Sequence, residues 1–178
     1  MEQQELQKLA RTAQRHPLWM PAEPLNSPIG RETIERILPH RDPFLLLDEI
    51  TEVDLVAQAI RGRRMISAED PVFRGHFPGD PIYPGVLQLE IVGQLGLCLI
   101  HFVRSGTTRI DPNIRPSAVR AVRIHFAQFL APVRPGNDLT VVGRILELND
   151  YTGICAGQIL CSGTVCAFGV MEVYPVDE

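Results

Sequence analysis

Cysteine is scarce. The 178-residue chain has four, and Cys98, Cys155, Cys161 and Cys166 show neither CxxC spacing nor a nearby histidine to complete a zinc motif. Reduced, buried thiols are expected, Cys98 in an apolar helix and the other three in strand-like segments. The opening run MEQQELQKLARTAQRHP lacks the apolar core of a secretory signal, which favours a cytoplasmic location. Charge of one sign is not in large excess, and a net charge of -4 gives no general reason to expect nucleic acid. Neither an internal repeat nor a low-complexity tract is present. With 45% hydrophobic and 21% charged residues the chain can bury one sizeable core in one domain.

Residues Glu2 to Gln14 carry a modest amphipathic pattern on good helix formers, and Pro17, Pro21, Pro24 and Pro28 then predict an extended arm that wraps the body or a partner chain. Residues 1–30 thus read as an N-terminal extension to a unit spanning 31–178. Arg31 to Leu38 reads as a short helix stopped by Pro39. Phe44 to Thr51 and Leu55 to Ile66 read as strands, as do Ala118 to Leu130, Leu139 to Leu148, Gly153 to Cys161 and Thr164 to Tyr174. Turn signals separate the last four: Pro135-Gly136-Asn137-Asp138, Asn149-Asp150 and Ser162-Gly163. Strands, one buried helix, then consecutive strands predict an α+β arrangement in which an antiparallel sheet curls around a helix.

The buried helix is Val86 to Val103, apolar on nearly every face; Gln88, Glu90, Gln94 and His101 argue against a membrane span. Just before it stands the most informative run of the chain, Gly75-His76-Phe77-Pro78-Gly79-Asp80-Pro81-Ile82-Tyr83-Pro84-Gly85. Prolines stiffen this loop, and Pro84 is placed to open the helix. His76 can exchange a proton near neutral pH, and burial of Glu90 among apolar neighbours is expected to push its carboxyl upward. The first N–H groups of a helix have no internal partner, so Gly85 N–H is a candidate for holding a polarised carbonyl oxygen. Gln94, four residues after Glu90, shares its helix face and could orient the carboxyl. Phe77 and Tyr83 either line a substrate channel or pack the loop. His101 and His125 read as packing or surface residues, and the arginines at 61, 63, 64, 120 and 123 as a solvated face or a docking site for an acidic partner.

From Gly75 to Glu90 the sequence resembles the signature of the hotdog-fold 3-hydroxyacyl-acyl-carrier-protein dehydratases. A second signature of their β-hydroxyacyl branch is matched by Leu38-Pro39-His40-Arg41-Asp42-Pro43-Phe44-Leu45-Leu46-Leu47-Asp48, and a third stretch, Phe126 to Leu139, is similar to that family's strand and Pro-Gly turn. The dehydratase/isomerase branch typically has Asp at the acid position and Cys directly after the loop glycine; Glu90 and Val86 stand there instead.

The resemblance implies dehydration of a (3R)-3-hydroxyacyl thioester on acyl carrier protein to the trans-2-enoyl thioester, in fatty-acid or related biosynthesis. His76 would be the base and Glu90 the acid, with Gly85 N–H on the thioester carbonyl and no metal or organic cofactor required. It also implies a homodimer, with a trimer of dimers as a further assembly, in which His76 and Gly85 of one chain meet Glu90 of the other. His40 and Arg41 read as fixing the start of the following strand. A hotdog thioesterase and a noncatalytic acyl-binding or assembly subunit are the alternatives, although the latter would be expected to have lost His76 or Glu90.

Overall fold

A computed structural model describes residues 3–19, 25–116 and 119–175. In chain order these form α1 (Gln3–Ala13), β1 (Ile29–Gly30), α2 (Arg31–Ile37), β2 (Glu49–Asp54), β3 (Ala59–Met65), a single 3-10 turn (Pro71–Arg74), α3 (Gly85–Ser105), β4 (Val119–Phe129), β5 (Asp138–Leu148), β6 (Gly153–Cys161) and β7 (Thr164–Pro175). The strands make one antiparallel sheet in the order β1-β2-β3-β5-β6-β7-β4. Of the four expected prolines of the arm, Pro21 and Pro24 lie outside the described residues.

What seats α3 on the sheet is a row of glycines. Gly143, Gly157 and Gly169 are direct cross-strand neighbours on β5, β6 and β7. A Cβ on Gly157 would stand 2.5 Å from Val92, and one on Gly169 2.6 Å from Leu89. The row is a trough into which the apolar side chains of α3 descend, and real Cβ atoms would lift the helix off the sheet. Gly96 brings the helix backbone equally near, since its Cβ would lie 3.1 Å from that of Cys155. Leu95, Leu99 and Phe102 are fully buried, as a helix apolar all round requires. Burial also raises the thiols of Cys98 and Cys155, the latter to about 12, so both are inert at neutral pH.

Side chains alternate across a strand, so the neighbours of those glycines face the other way. Ile154, Ala156, Phe168 and Val170 form a second cluster on the outer face, covered by Leu6, Leu9, Ala10 and Ala13 of α1. The N-terminal helix therefore wraps its own body. Gln158, fully buried between them, locks the contact: its Nε2 donates to the carbonyls of Ala13 (2.6 Å) and His16 (2.9 Å), and its Oε1 accepts from Leu18 N–H (2.6 Å). Gln158→Leu is expected to lower unfolding free energy by about 1–3 kcal/mol, because it strands three backbone groups. Equilibrium urea unfolding checks this; an unchanged midpoint would mean the lock carries no stability.

Two expected strands differ from those observed. The strand expected at Phe44 to Thr51 begins only at Glu49. Leu45, Leu46 and Leu47 are buried in non-repetitive backbone that a side chain of α3 helps to satisfy, because Leu46 N–H donates to Gln94 Oε1 and Gln94 Nε2 donates to Phe44 C=O, each at 2.8 Å. The strand expected over Leu55 to Ile66 starts at Ala59, since Leu55–Gln58 form a hairpin turn. That turn has no Gly or Pro to announce it. Asp54 Oδ1 instead accepts from Val56 and Ala57 N–H (2.9 and 2.8 Å), and Gln58 takes the positive φ of 50°.

Candidate active site

The loop ahead of α3 is clasped on itself. Ile82 N–H donates to His76 C=O (3.1 Å), and the Ile82 carbonyl faces His76 Nδ1 at 2.8 Å. A carbonyl only accepts, so in the neutral imidazole the proton sits on Nδ1 and Nε2 keeps a bare lone pair. Gly79, with φ of 86°, makes the turn within the loop, and Tyr83 N–H ties its end to Val133 C=O at 2.7 Å. Phe77 stacks on the His76 ring with centroids 4.0 Å apart.

Next to His76 opens a cavity of about 360 Å³, lined by His76, Ile82, Tyr83, Gly85, Gln88 and the segment Phe129–Pro132. Gly85 starts α3, and no acceptor meets its N–H among the described residues. The Phe129 ring roofs this corner so closely that a Cβ on Gly85 would lie 2.6 Å from it. Base and helix-start amide thus share one cavity. Tyr83 lines it while its hydroxyl, buried without a partner, is pushed up to about 12 by desolvation. Phe77 is half exposed and packs the histidine instead of lining the cavity.

Glu90 lies elsewhere. It lines a separate cavity of about 440 Å³ with Val86, Leu89, Met171 and Ala121 to Ile124 of β4. One side-chain oxygen, Oε1, receives Gln94 Nε2–H at 2.9 Å and stands 3.3 Å from His40 Nε2. Burial pushes the carboxyl upward, but the hydrogen bonds from His40 and Gln94 outweigh it and hold the group below the ordinary carboxylate value. This corrects the upward shift expected from the sequence. The cause is that the side chain keeps 28% exposure and gains two N–H donors, which favour the anion.

Two residues bearing on these cavities carry signals that the sequence reading did not use. Gln88, buried in the His76 cavity, donates weakly to Tyr83 C=O (3.3 Å) and leaves Oε1 unpartnered. A glutamine in the first turn of an otherwise apolar helix was the available sign. His40 does more than fix a strand start, because its ring reaches Glu90; Arg41 is the residue that ties off the chain after α2, donating to the carbonyls of Leu38 (2.8 Å) and His40 (2.7 Å). The arginines of β3 form ion pairs within the chain: Arg61 with Glu52, Arg63 with Asp138 and Arg64 with Asp48. His101 packs edge-on against Phe102, and His125 pairs with Glu172 at 2.8 Å.

A long helix laid in a wrapped antiparallel sheet, with a histidine loop at its start, defines a hotdog-fold protein. The chain belongs to the FabA-like domain family, which matches residues 38–167. It is 40% identical over 145 residues to the 3-hydroxyacyl-[acyl-carrier-protein] dehydratase FabZ of Campylobacter jejuni, covering 82% of this chain and 96% of that one. The protein of the same name from Aliarcobacter butzleri is 35% identical over the same length, with the same coverage of each chain. Among solved structures the fold is similar to the dehydratase heterocomplex ApeI:P from Xenorhabdus doucetiae, with a TM-score of 0.64 and 21% identity over 82% of this chain and 91% of that one.

Proposed function

We propose that the chain removes water from (3R)-3-hydroxyacyl thioesters carried on acyl carrier protein, giving trans-2-enoyl thioesters in fatty-acid or related biosynthesis. The observation that carries this is the pairing of a bare imidazole Nε2 with a free helix-start N–H in one cavity, with a hydrogen-bonded carboxyl on another side of the same helix. The thioester carbonyl accepts from Gly85 N–H, which stabilises developing enolate charge and acidifies C2. His76 Nε2 takes the C2 proton, the C3–O bond breaks as the C2–C3 double bond forms, and Glu90 delivers a proton to the departing hydroxyl, which leaves as water. Passage of the proton from His76 back to Glu90 restores the starting state.

Gly85 and Glu90 are five residues apart, so they project about 140° apart around α3 and about 7.5 Å apart along it. One small substrate does not bridge them within a chain. A two-fold homodimer removes the difficulty by facing the His76 cavity of one chain with the Glu90 cavity of the other. Support comes from β4, an eleven-residue strand at the end of the sheet that pairs on one side with β7 and exposes Val122 and Ile124 beside a 69% exposed Val86. Such an apolar edge is a template for a second chain. Covering Glu90 in this way strips its remaining water and strengthens the desolvation that already pushes its carboxyl up, so the closed site favours the protonated acid more than the open chain does. Residues 1–30 serve as an extension to the dehydratase unit 31–178, and the enzyme works in the cytoplasm.

Purified protein incubated with 3-hydroxyacyl thioesters on carrier protein and on pantetheine, read by mass spectrometry, tests the reading. The expected product is one water lighter with its thioester intact. Free acid with unloaded carrier would indicate a thioesterase, and unchanged substrate a binding subunit; either result would overturn the proposal.

A further inference from the structure

Glu90 is held by a relay that begins outside its own helix. Gln94 cannot turn over, because Oε1 accepts Leu46 N–H and Nε2 donates to Phe44 C=O, both at 2.8 Å. Its second amide hydrogen is thereby aimed at Glu90 Oε1, 2.9 Å away. His40 addresses the same oxygen from the turn after α2, with Nε2 at 3.3 Å and its ring stacked on Phe44. No hydrogen bond reaches Glu90 Oε2 among the described residues. The His40 ring has one further clue: Nδ1 is buried and has no partner. The tautomer with its hydrogen on Nε2 leaves Nδ1 as an unfilled acceptor and offers a donor to Glu90. The other tautomer would bury an orphaned donor and set two lone pairs against each other.

We propose that His40 is a positioning residue for the acid, its Nε2–H pinning Oε1 of Glu90 so that Oε2 alone presents the proton to the leaving hydroxyl. The inference rests on the dehydration reading. A carboxyl held at one oxygen by two donors has one productive orientation, whereas an unpinned one can rotate and offer its proton elsewhere. Among the described residues, two other charges stand near this pair in the chain or the cavity. From the loop after α2 there is Arg41, whose guanidinium is taken up by two backbone carbonyls; from β4 there is Arg123, which lines the Glu90 cavity; α3 contributes neutral Gln94 and β7 apolar Met171. His40 is therefore the titratable neighbour whose removal changes the acid, beside the neutral donor Gln94.

The test compares wild type, His40→Leu, His40→Gln and His40→Asn in turnover of carrier-bound substrate, alongside a carbon-13 NMR titration of the Glu90 carboxyl. Glutamine can place an N–H near the position of Nε2, while asparagine is polar but too short, and keeps the test alive if leucine compromises folding. The expected result is a fall in kcat of about 10- to 100-fold for the leucine and asparagine variants with KM little changed, and recovery to within about threefold of wild type for glutamine. Because the donor is lost, the titration midpoint of Glu90 should move up in the leucine and asparagine variants and back toward wild type with glutamine. Wild-type turnover in either shortened variant, or equal losses in all three with the midpoint unmoved, would overturn the role of His40 alone. A wild-type protein that does not dehydrate would instead overturn the functional reading.

Discussion

His76→Ala and Glu90→Gln are each expected to lower dehydration by about 100-fold or more, since general acid-base assistance contributes about 10²- to 10⁴-fold per group. Alanine removes the only nitrogen base among the described residues lining the cavity that holds Gly85. It also gives up the Nδ1 contact to Ile82, but the backbone bond from Ile82 N–H to the carbonyl of residue 76 remains to close the loop. Glutamine matches Glu90 in size and still accepts from Gln94 and His40 through its carbonyl, yet cannot give up a proton. Both variants should therefore bind substrate and fail at the chemical step, so kcat falls more than KM rises. Steady-state rates on carrier-bound substrate, with circular dichroism showing an intact fold, check this. A folded variant that keeps more than about a tenth of wild-type turnover would remove its residue from the acid-base pair.

Much of this architecture was legible because its signals are local. Pro84 and Gly85 mark the start of α3, and the turns at Gly136-Asn137, Asn149-Asp150 and Ser162-Gly163 bound β5, β6 and β7 within a residue or so. The strands before the helix were less legible for a physical reason. A run such as Phe44 to Leu47 is apolar enough for a strand, and whether its backbone pairs with a neighbouring strand or with the amide of Gln94, some fifty residues away, is decided by tertiary structure. The Asp54 turn was hidden in the same way, since it uses a side-chain acceptor instead of glycine or proline.

The site divides likewise. His76, Gly85 and Glu90 stand in one continuous run, so their residue types and the change from loop to helix could be read directly. The sign of the Glu90 shift could not. Neighbours in the helix announce burial and one donor, Gln94, whereas the other donor that reverses the effect of burial comes from His40, fifty residues earlier in the chain. Gln158 is a similar case: nothing near it in sequence shows that its amide closes over the end of α1.

That the two cavities are halves of one site, completed across a dimer, is tested most directly by subunit complementation. When His76→Ala and Glu90→Gln chains assort at random, about half of the dimers are mixed, and in each of these one site joins an intact His76 to an intact Glu90 while the other lacks both. The co-expressed population should recover about a quarter of wild-type activity, far above either parent alone. If base and acid acted from the same chain, every site would carry one lesion and mixing would restore nothing. Two differently tagged variants, with the mixed dimer isolated by tandem affinity purification and assayed on carrier-bound 3-hydroxyacyl thioester, decide the matter. Activity near half of wild type per purified mixed dimer is the expected result, and activity no higher than that of the parents would contradict the shared site.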